Sequence, residues 1–188
     1  MAKSGYHHGD LRATILAAAA DQIASDGVDA VSLRELARRA GVSHAAPAHH
    51  FGDRAGVLTA LAIEGFDLLT AELERAGADF REVAVAYIRF AREHPGHFDV
   101  MFRHSLLRAD DPRLDEARLR SAAALRSGVS VIHPADVGQQ QATQLAAWSL
   151  VHGFAALWRE GALDNSSLAG DTDPEILARR MLATVRFD

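Results

Sequence analysis

Few side chains in this sequence have the type and spacing to do chemistry, and the pattern they form excludes more than it offers. His94 and His97 stand three apart with His104 nearby, and paired histidines on one helical face bind zinc in many proteins. Here Pro95 and Gly96 break the helix between them and no carboxylate has a matching position, so no metal site is expected. Cysteine is absent, which removes thiolate nucleophiles, iron–sulfur clusters, redox pairs and every cysteine-bearing zinc site. Lys3 is the single lysine, so Schiff-base chemistry and a phosphate-loop lysine have no residue inside the folded part. Gly128-Val129-Ser130 lacks the second glycine of a nucleophile elbow, and no glycine-rich phosphate cradle occurs. Neither an enzyme nor a cofactor-binding protein is expected.

Binding, rather than catalysis, is where the pattern is dense. Five of the ten histidines fall in the first 54 residues. There Lys3, Arg12, Arg34, Arg38, Arg39 and Arg54 are balanced by Asp10, Asp21, Asp26, Asp29, Glu35 and Asp53, so the remainder carries the whole net charge of −5. A polyanionic partner would have to bind this stretch through local clustering and not through bulk charge.

The elements that must position these groups are helices. At 188 residues the chain can bury a real core, and 48% hydrophobic with 24% charged residues describes a soluble globular protein. No apolar run approaches a membrane span, and the N-terminal residues lack a secretory signal, which predicts a cytoplasmic location. Alanine is the commonest residue and aromatics are only 6%, favouring an all-α fold of about nine helices. A first helix is expected from Asp10, as N-cap, to Ser25, ended by Gly27. Ser32 and Glu35 form a capping-box pattern opening Leu33–Ala40. Gly41 allows a sharp turn with Val42 folding back, and Ser43 caps a short helix, His44 to His50. Asp53 caps a fourth helix reaching Ala76. Ala37 is small where two short helices cross, so the segment reads as a helix-turn-helix; the alternative is a helical hairpin in an ordinary bundle.

Further along, an amphipathic helix runs from Phe80 and ends before Pro95, followed by short helix 96–104 and a helix from Pro112 to Ser127. Residues 135–160 form a helix so apolar between Leu145 and Trp158 that it must be covered on more than one face. Asp173-Pro174 opens a final helix to Val185.

Tyr6-His7-His8-Gly9-Asp10-Leu11-Arg12, then Val31 through Pro47, then His49-His50-Phe51 with Arg54 and Leu58, resemble the DNA-binding region of TetR-family transcriptional regulators. The later part is similar to the branch of that family with a WHG-type ligand domain, through Ala86 to Pro95, Phe98, Met101-Phe102, and Trp148 to His152-Gly153. The resemblance implies a DNA-binding domain over residues 1–54 and a larger ligand-binding and dimerisation domain over 55–188. It also implies that the 44–50 helix enters the major groove of a double-stranded operator.

On that basis His44 and His49 would meet base edges and Ala45, Ala46 and Ala48 thymine methyls, with His50 on the same helix. Arg54, where the family usually has lysine, would hold a phosphate with two hydrogen bonds, and Ser32, Arg34 and Ser43 would add backbone contacts. Arg38 and Arg39 read equally as phosphate contacts or as a solvated charged face. Ala48 replaces the family's usual aromatic residue, which puts affinity in doubt rather than fold.

A row of small residues, Ala142, Ala146, Ser149, Gly153 and Ala156, lies on one side of the 135–160 helix, and Leu177, Met181 and Thr184 form one stripe of the last helix. In the family such helices make a four-helix homodimer interface; the alternative is packing within one subunit. Tyr87, Phe98, Met101, Phe102, Trp148, His152 and Phe154 would line a largely apolar cavity for a small apolar or aromatic effector, or else fill a core. The expected function is a ligand-responsive regulator, a repressor released by its effector; the alternative is a helical small-molecule-binding protein with weakened DNA recognition.

Overall fold

The computed structural model describes residues 8–130, 137–164 and 172–185. Tyr6 and His7 of the N-terminal motif, and the first two residues of the expected 135–160 helix, lie outside these. Nine α-helices, two short 3-10 turns and no strand occur among the described residues, so the all-α expectation holds.

Helix ends fall where the punctuating residues put them. α1 (His8–Asp26) begins earlier than the expected Asp10 cap and stops before Gly27, whose φ of +82° no β-carbon would favour. A 3-10 turn (Val28–Ala30) leads to α2 (Leu33–Arg39), where the Ser32 hydroxyl accepts the Glu35 N–H. α3 (Ala46–Phe51) is followed by α4 (Arg54–Ala76), whose first turn is capped by Asp53 Oδ1 accepting the Gly56 N–H at 2.8 Å. α5 (Phe80–Glu93) and α6 (Pro95–Met101) are separated by His94 alone. α6 is shorter than expected, because the chain passes into a second 3-10 turn (His104–Leu106). Then come α7 (Pro112–Ser130), α8 (Val137–Arg159) and α9 (Pro174–Thr184), the last capped by Asp173 Oδ1 on the Glu175 and Ile176 N–H groups.

By packing, the chain divides into two units. The first joins the described residues up to Gly65 with His94–Asp115, and the second joins Phe66–Glu93 with the described residues from Glu116 onward. In the first unit Ile15, Ala19, Ile23, Leu36, Ala37, Val57, Leu58 and Leu61 are fully buried or nearly so. α6 reaches this core through glycine: a β-carbon on Gly96 would stand 2.1 Å from the Ala20 carbonyl oxygen, so backbone lies against backbone.

The second unit is organised on α5. Val83 to Ile88, Phe90 and Ala91 are all buried, and α8 and α9 pack against it. Arg89 holds Glu175 with two hydrogen bonds of 3.0 and 2.7 Å, and Arg179 holds Glu82 with two more, tying α9 to α5 at its polar margin.

Candidate functional site

The α2–turn–α3 segment carries the candidate nucleic-acid surface. α2 buries Leu36 and Ala37, Gly41 takes φ +65°, and the Val42 N–H returns to the Ala37 carbonyl at 3.0 Å. That folded-back bond closes the helix end as expected. α3 starts at Ala46, and Ser43 is not its side-chain cap. Ala45 holds the capping position without a side-chain hydrogen bond, while Ser43 offers its carbonyl to the Ala46 N–H at 3.0 Å. Proline explains the later start: Pro47 has no N–H to give and fits only the first turn.

Ser32, Arg34, Ser43, His44, Ala45, Ala48 and His49 are exposed and His50 is half-buried. Ala46 is only 8% exposed, so it packs inward and offers no methyl to a base.

The arginines of this surface divide by partner. Arg34 is exposed and makes no hydrogen bond or ion pair among the described residues. Arg38 grips Glu35 with bonds of 2.8 and 2.6 Å, and Arg39 bonds both Glu35 at 2.9 Å and Asp26 at 2.5 Å. The Arg38 and then the Arg39 guanidinium hold the Glu35 carboxyl down to about 2. The charged-face reading of Arg38 and Arg39 is the one these bonds favour.

Arg54 departs from its expected role. Its Nε donates to the Val31 carbonyl at 3.0 Å and its Nη2 to the Val28 carbonyl at 2.8 Å. Val28 opens the 3-10 turn and its carbonyl already accepts the Val31 N–H at 3.2 Å, so the guanidinium fork adds a second bond there and ties the two ends of the turn together. Arg54 thereby braces the entry to α2 with the donors expected to hold a phosphate.

Two arginines whose partners the sequence does not name, Arg12 and Arg108, meet at Phe51, the last residue of α3. Arg12 from α1 lies over its ring, 5.3 Å from the centroid, and Arg108 Nη2 donates to its carbonyl at 3.2 Å. Gly52 and Gly56, one and five residues beyond Phe51, are the signal the sequence offers, but nothing local names a partner so far along the chain.

In the second unit Tyr87, Trp148 and His152 come together. The Trp148 Nε1–H donates to the Tyr87 hydroxyl at 3.3 Å, and that hydroxyl lies 2.8 Å from His152 Nδ1. Burial pushes the Tyr87 phenol up and holds the His152 imidazole below its ordinary value. The imidazole tautomer sets the direction of the Tyr87–His152 bond, and the hydroxyl, with one proton and two lone pairs, can accept from Trp148 in either case. Phe154 is buried and stacks on Trp158.

Phe98, Met101 and Phe102 belong to the first unit. Phe98 packs edge-on to Phe102, and Met101 Sδ stands where a β-carbon on Gly65 would be 2.7 Å away. A cavity of about 490 Å³ lies between α7 and α8, lined by Ala123, Arg126, Ser127, Val137, Gln140, Gln141 and Gln144. None of the residues expected to contact an effector lines it.

Among the described residues α8 is covered on one face: Thr143, Ala147, Val151, Phe154 and Ala155 are buried. Ala142, Ala146 and Ser149 are exposed, and Gly153 and Ala156 are half-buried, with open space where a Gly153 β-carbon would be. Leu145, Leu157 and, on α9, Ile176 are large exposed apolar side chains. Leu177 and Met181 are half-buried and Thr184 exposed. His97 Nε2 lies 3.9 Å from Glu64 Oε2, both atoms buried and without a hydrogen bond. No group of three or more His, Asp or Glu side chains among the described residues converges as metal ligands would.

Comparison with known proteins matches both parts of the chain. Residues 15–61 match the family model for bacterial regulatory proteins of the tetR family, and residues 80–185 match the tetracyclin repressor-like C-terminal domain. An uncharacterized HTH-type transcriptional regulator of Mycobacterium tuberculosis is 29% identical over 82% of this chain and 72% of its own. A Rhodococcus protein of unknown function is 36% identical, with a TM-score of 0.77 over 97% of this chain and 96% of its own. The TetR-family transcriptional regulator PfmR of Thermus thermophilus has the same fold, with a TM-score of 0.68 at 24% identity over 89% of this chain and 93% of its own.

Proposed function

Because this chain belongs to the TetR family of bacterial transcriptional regulators, we propose that it is a ligand-responsive repressor. In this reading it binds a palindromic operator as a homodimer and is released by a small apolar or aromatic effector. The observation that carries the DNA role is the exposed run Ser43, His44, Ala45, Ala48 and His49 beside a turn closed by Gly41, with the free Arg34 nearby. Residues 1–54 serve as the reading domain. The base-facing side chains are small or imidazole, so discrimination rests on few contacts.

The homodimer is supported by the open small row of α8 and the exposed Leu145, Leu157 and Ile176, since apolar surface of this kind marks an interface. An isologous pair then requires a two-fold operator. For the effector, support comes from Tyr87, Trp148 and His152, a polar handle set among apolar side chains. Effector and operator weaken each other by one coupling free energy, and α4, which belongs to both units, is the element through which we propose it passes.

The test is binding to DNA from the protein's own upstream region and, failing that, to genomic fragments, measured by fluorescence anisotropy with nonspecific competitor across a salt series. Specific binding that weakens as salt rises is expected, with Arg34→Ala lowering the logarithmic slope by about one and Arg38→Ala leaving it unchanged. A second reading, a helical small-molecule binder with weakened DNA recognition, is favoured by the capture of Arg38, Arg39 and Arg54 within the protein. Sequence-blind binding throughout a genomic selection would decide for it.

A further inference from the structure

We propose that Arg108 is a positioning residue for the DNA-reading helix, clamping the end of α3 to the start of α4 from a place 57 residues beyond Phe51. The DNA consequence rests on the operator-binding reading; the clamp itself does not. α3 has six residues and no side-chain cap at its start, too short to hold its own geometry in water. Its orientation is therefore set by what grips its ends, and its last carbonyls have no partner within the helix.

Arg108 Nη2 meets both sides of the α3–α4 junction, donating to the Phe51 carbonyl at 3.2 Å and to Asp53 Oδ1 at 3.0 Å. That same carboxylate oxygen accepts the Gly56 N–H, so one guanidinium nitrogen joins the last residue of α3 to the cap of α4. The base of the clamp is fixed too. The Arg108 N–H donates to Thr59 Oγ1 at 2.9 Å, and this hydroxyl, on a residue 1% exposed, donates in turn to the Ala55 carbonyl at 2.7 Å.

Room for the guanidinium is made by two glycines. A β-carbon on Gly52 would lie 3.1 Å from Arg108 Nη2, and one on Gly56 would lie 3.0 Å from it and 1.9 Å from the Phe51 oxygen. Glycine is a poor helix former, and close approach accounts for its place in the first turn of α4. The Arg108 and Asp53 side chains are 42% and 65% exposed, so solvent screening limits the effect to a few-fold.

The test uses the full chain with Arg108→Gln, Arg108→Lys and Asp53→Asn, the last keeping a capping side chain. Hydrogen exchange at the Gly52 amide, which bonds the Ala48 carbonyl, is expected to quicken about fivefold in Arg108→Gln while the amides of α1 hold theirs. Unchanged exchange at Gly52 overturns the clamp whether or not any DNA binds. The second arm uses a duplex selected by the wild-type chain from random-sequence DNA. Affinity is expected to fall about fivefold in each variant, with an unchanged salt slope and a melting temperature near wild type. Recovery by lysine together with a slope lowered by about one in Arg108→Gln would mark a phosphate contact and overturn the positioning role. A wild-type chain that selects no sequence overturns the operator reading and the DNA role of the clamp together, leaving the exchange result to judge the contact.

Discussion

α5 and α8 invert what their sequences suggest. α5 reads as amphipathic, with Arg81, Glu82, Arg89, Arg92 and Glu93 among its apolar residues, yet from Val83 to Ile88 every side chain is buried. α8 is apolar at almost every position from Leu145 to Trp158, yet only one of its faces is covered by the described residues. Burial is thus a property of neighbours: α5 has its charges gathered at the margin, where Glu175 and Arg179 of α9 pair with them. α8 keeps an apolar face with no neighbour among the described residues, which is the form a surface takes when its partner is a second chain.

The largest expected effect breaks the covered helix. Phe90 is fully buried, and Phe90→Ala is expected to cost about 3–5 kcal/mol of unfolding free energy, read from urea denaturation. Next, the double variant Leu145→Glu with Leu157→Glu places charge on the open face of α8. The protein is expected to run as a monomer in analytical ultracentrifugation with the helical circular dichroism of wild type; a loss of helix would show that face to be packed after all.

Smaller effects sharpen the junction between the two helices. Trp148→Phe removes the indole donor to Tyr87 and is expected to cost about 1 kcal/mol, since the hydroxyl keeps His152 as partner. The least effect is a pH dependence. The folded state holds the His152 imidazole below 6.5 through burial, so as pH falls the unfolded chain takes up that proton first. Stability present above pH 6.5 is therefore lost as pH drops from there toward the lowered value. Thermal melts of His152→Gln are expected to show a flatter dependence in that window, because the glutamine amide can pair with the Tyr87 hydroxyl without titrating.

Local signals placed most of the helices. Ser32 with Glu35, Gly41 with Val42, Asp53, and Asp173 with Pro174 each do where they stand what their residue types allow. α3 starts at Ala46 and not at His44 because Ser43 and Pro47 compete to define its first turn and the proline, lacking an N–H, prevails. The candidate site was legible as a list of exposed side chains but not as a pattern of charge. That Arg38, Arg39 and Arg54 are occupied depends on Asp26, Glu35 and the carbonyls of Val28 and Val31, and rotamers decide such pairings. Distance along the chain hid the rest: Arg108 and the packing of residues 94–115 with the first unit depend on contacts that no periodicity encodes. The same holds for Phe98, Met101 and Phe102, whose helical spacing was visible while their unit was not.

Glu35 has a consequence for how such a protein would search a chromosome. By holding two guanidiniums at once it leaves the exposed side of α2, which the operator-binding proposal sets against DNA, with little unpaired positive charge. Attraction to the sugar–phosphate backbone in general, and so residence on irrelevant sequence, is then weak. On the operator-binding proposal, a regulator built this way would spend its time in free solution between encounters, and a small number of copies would keep one specific site occupied, because few would be titrated by the rest of the genome.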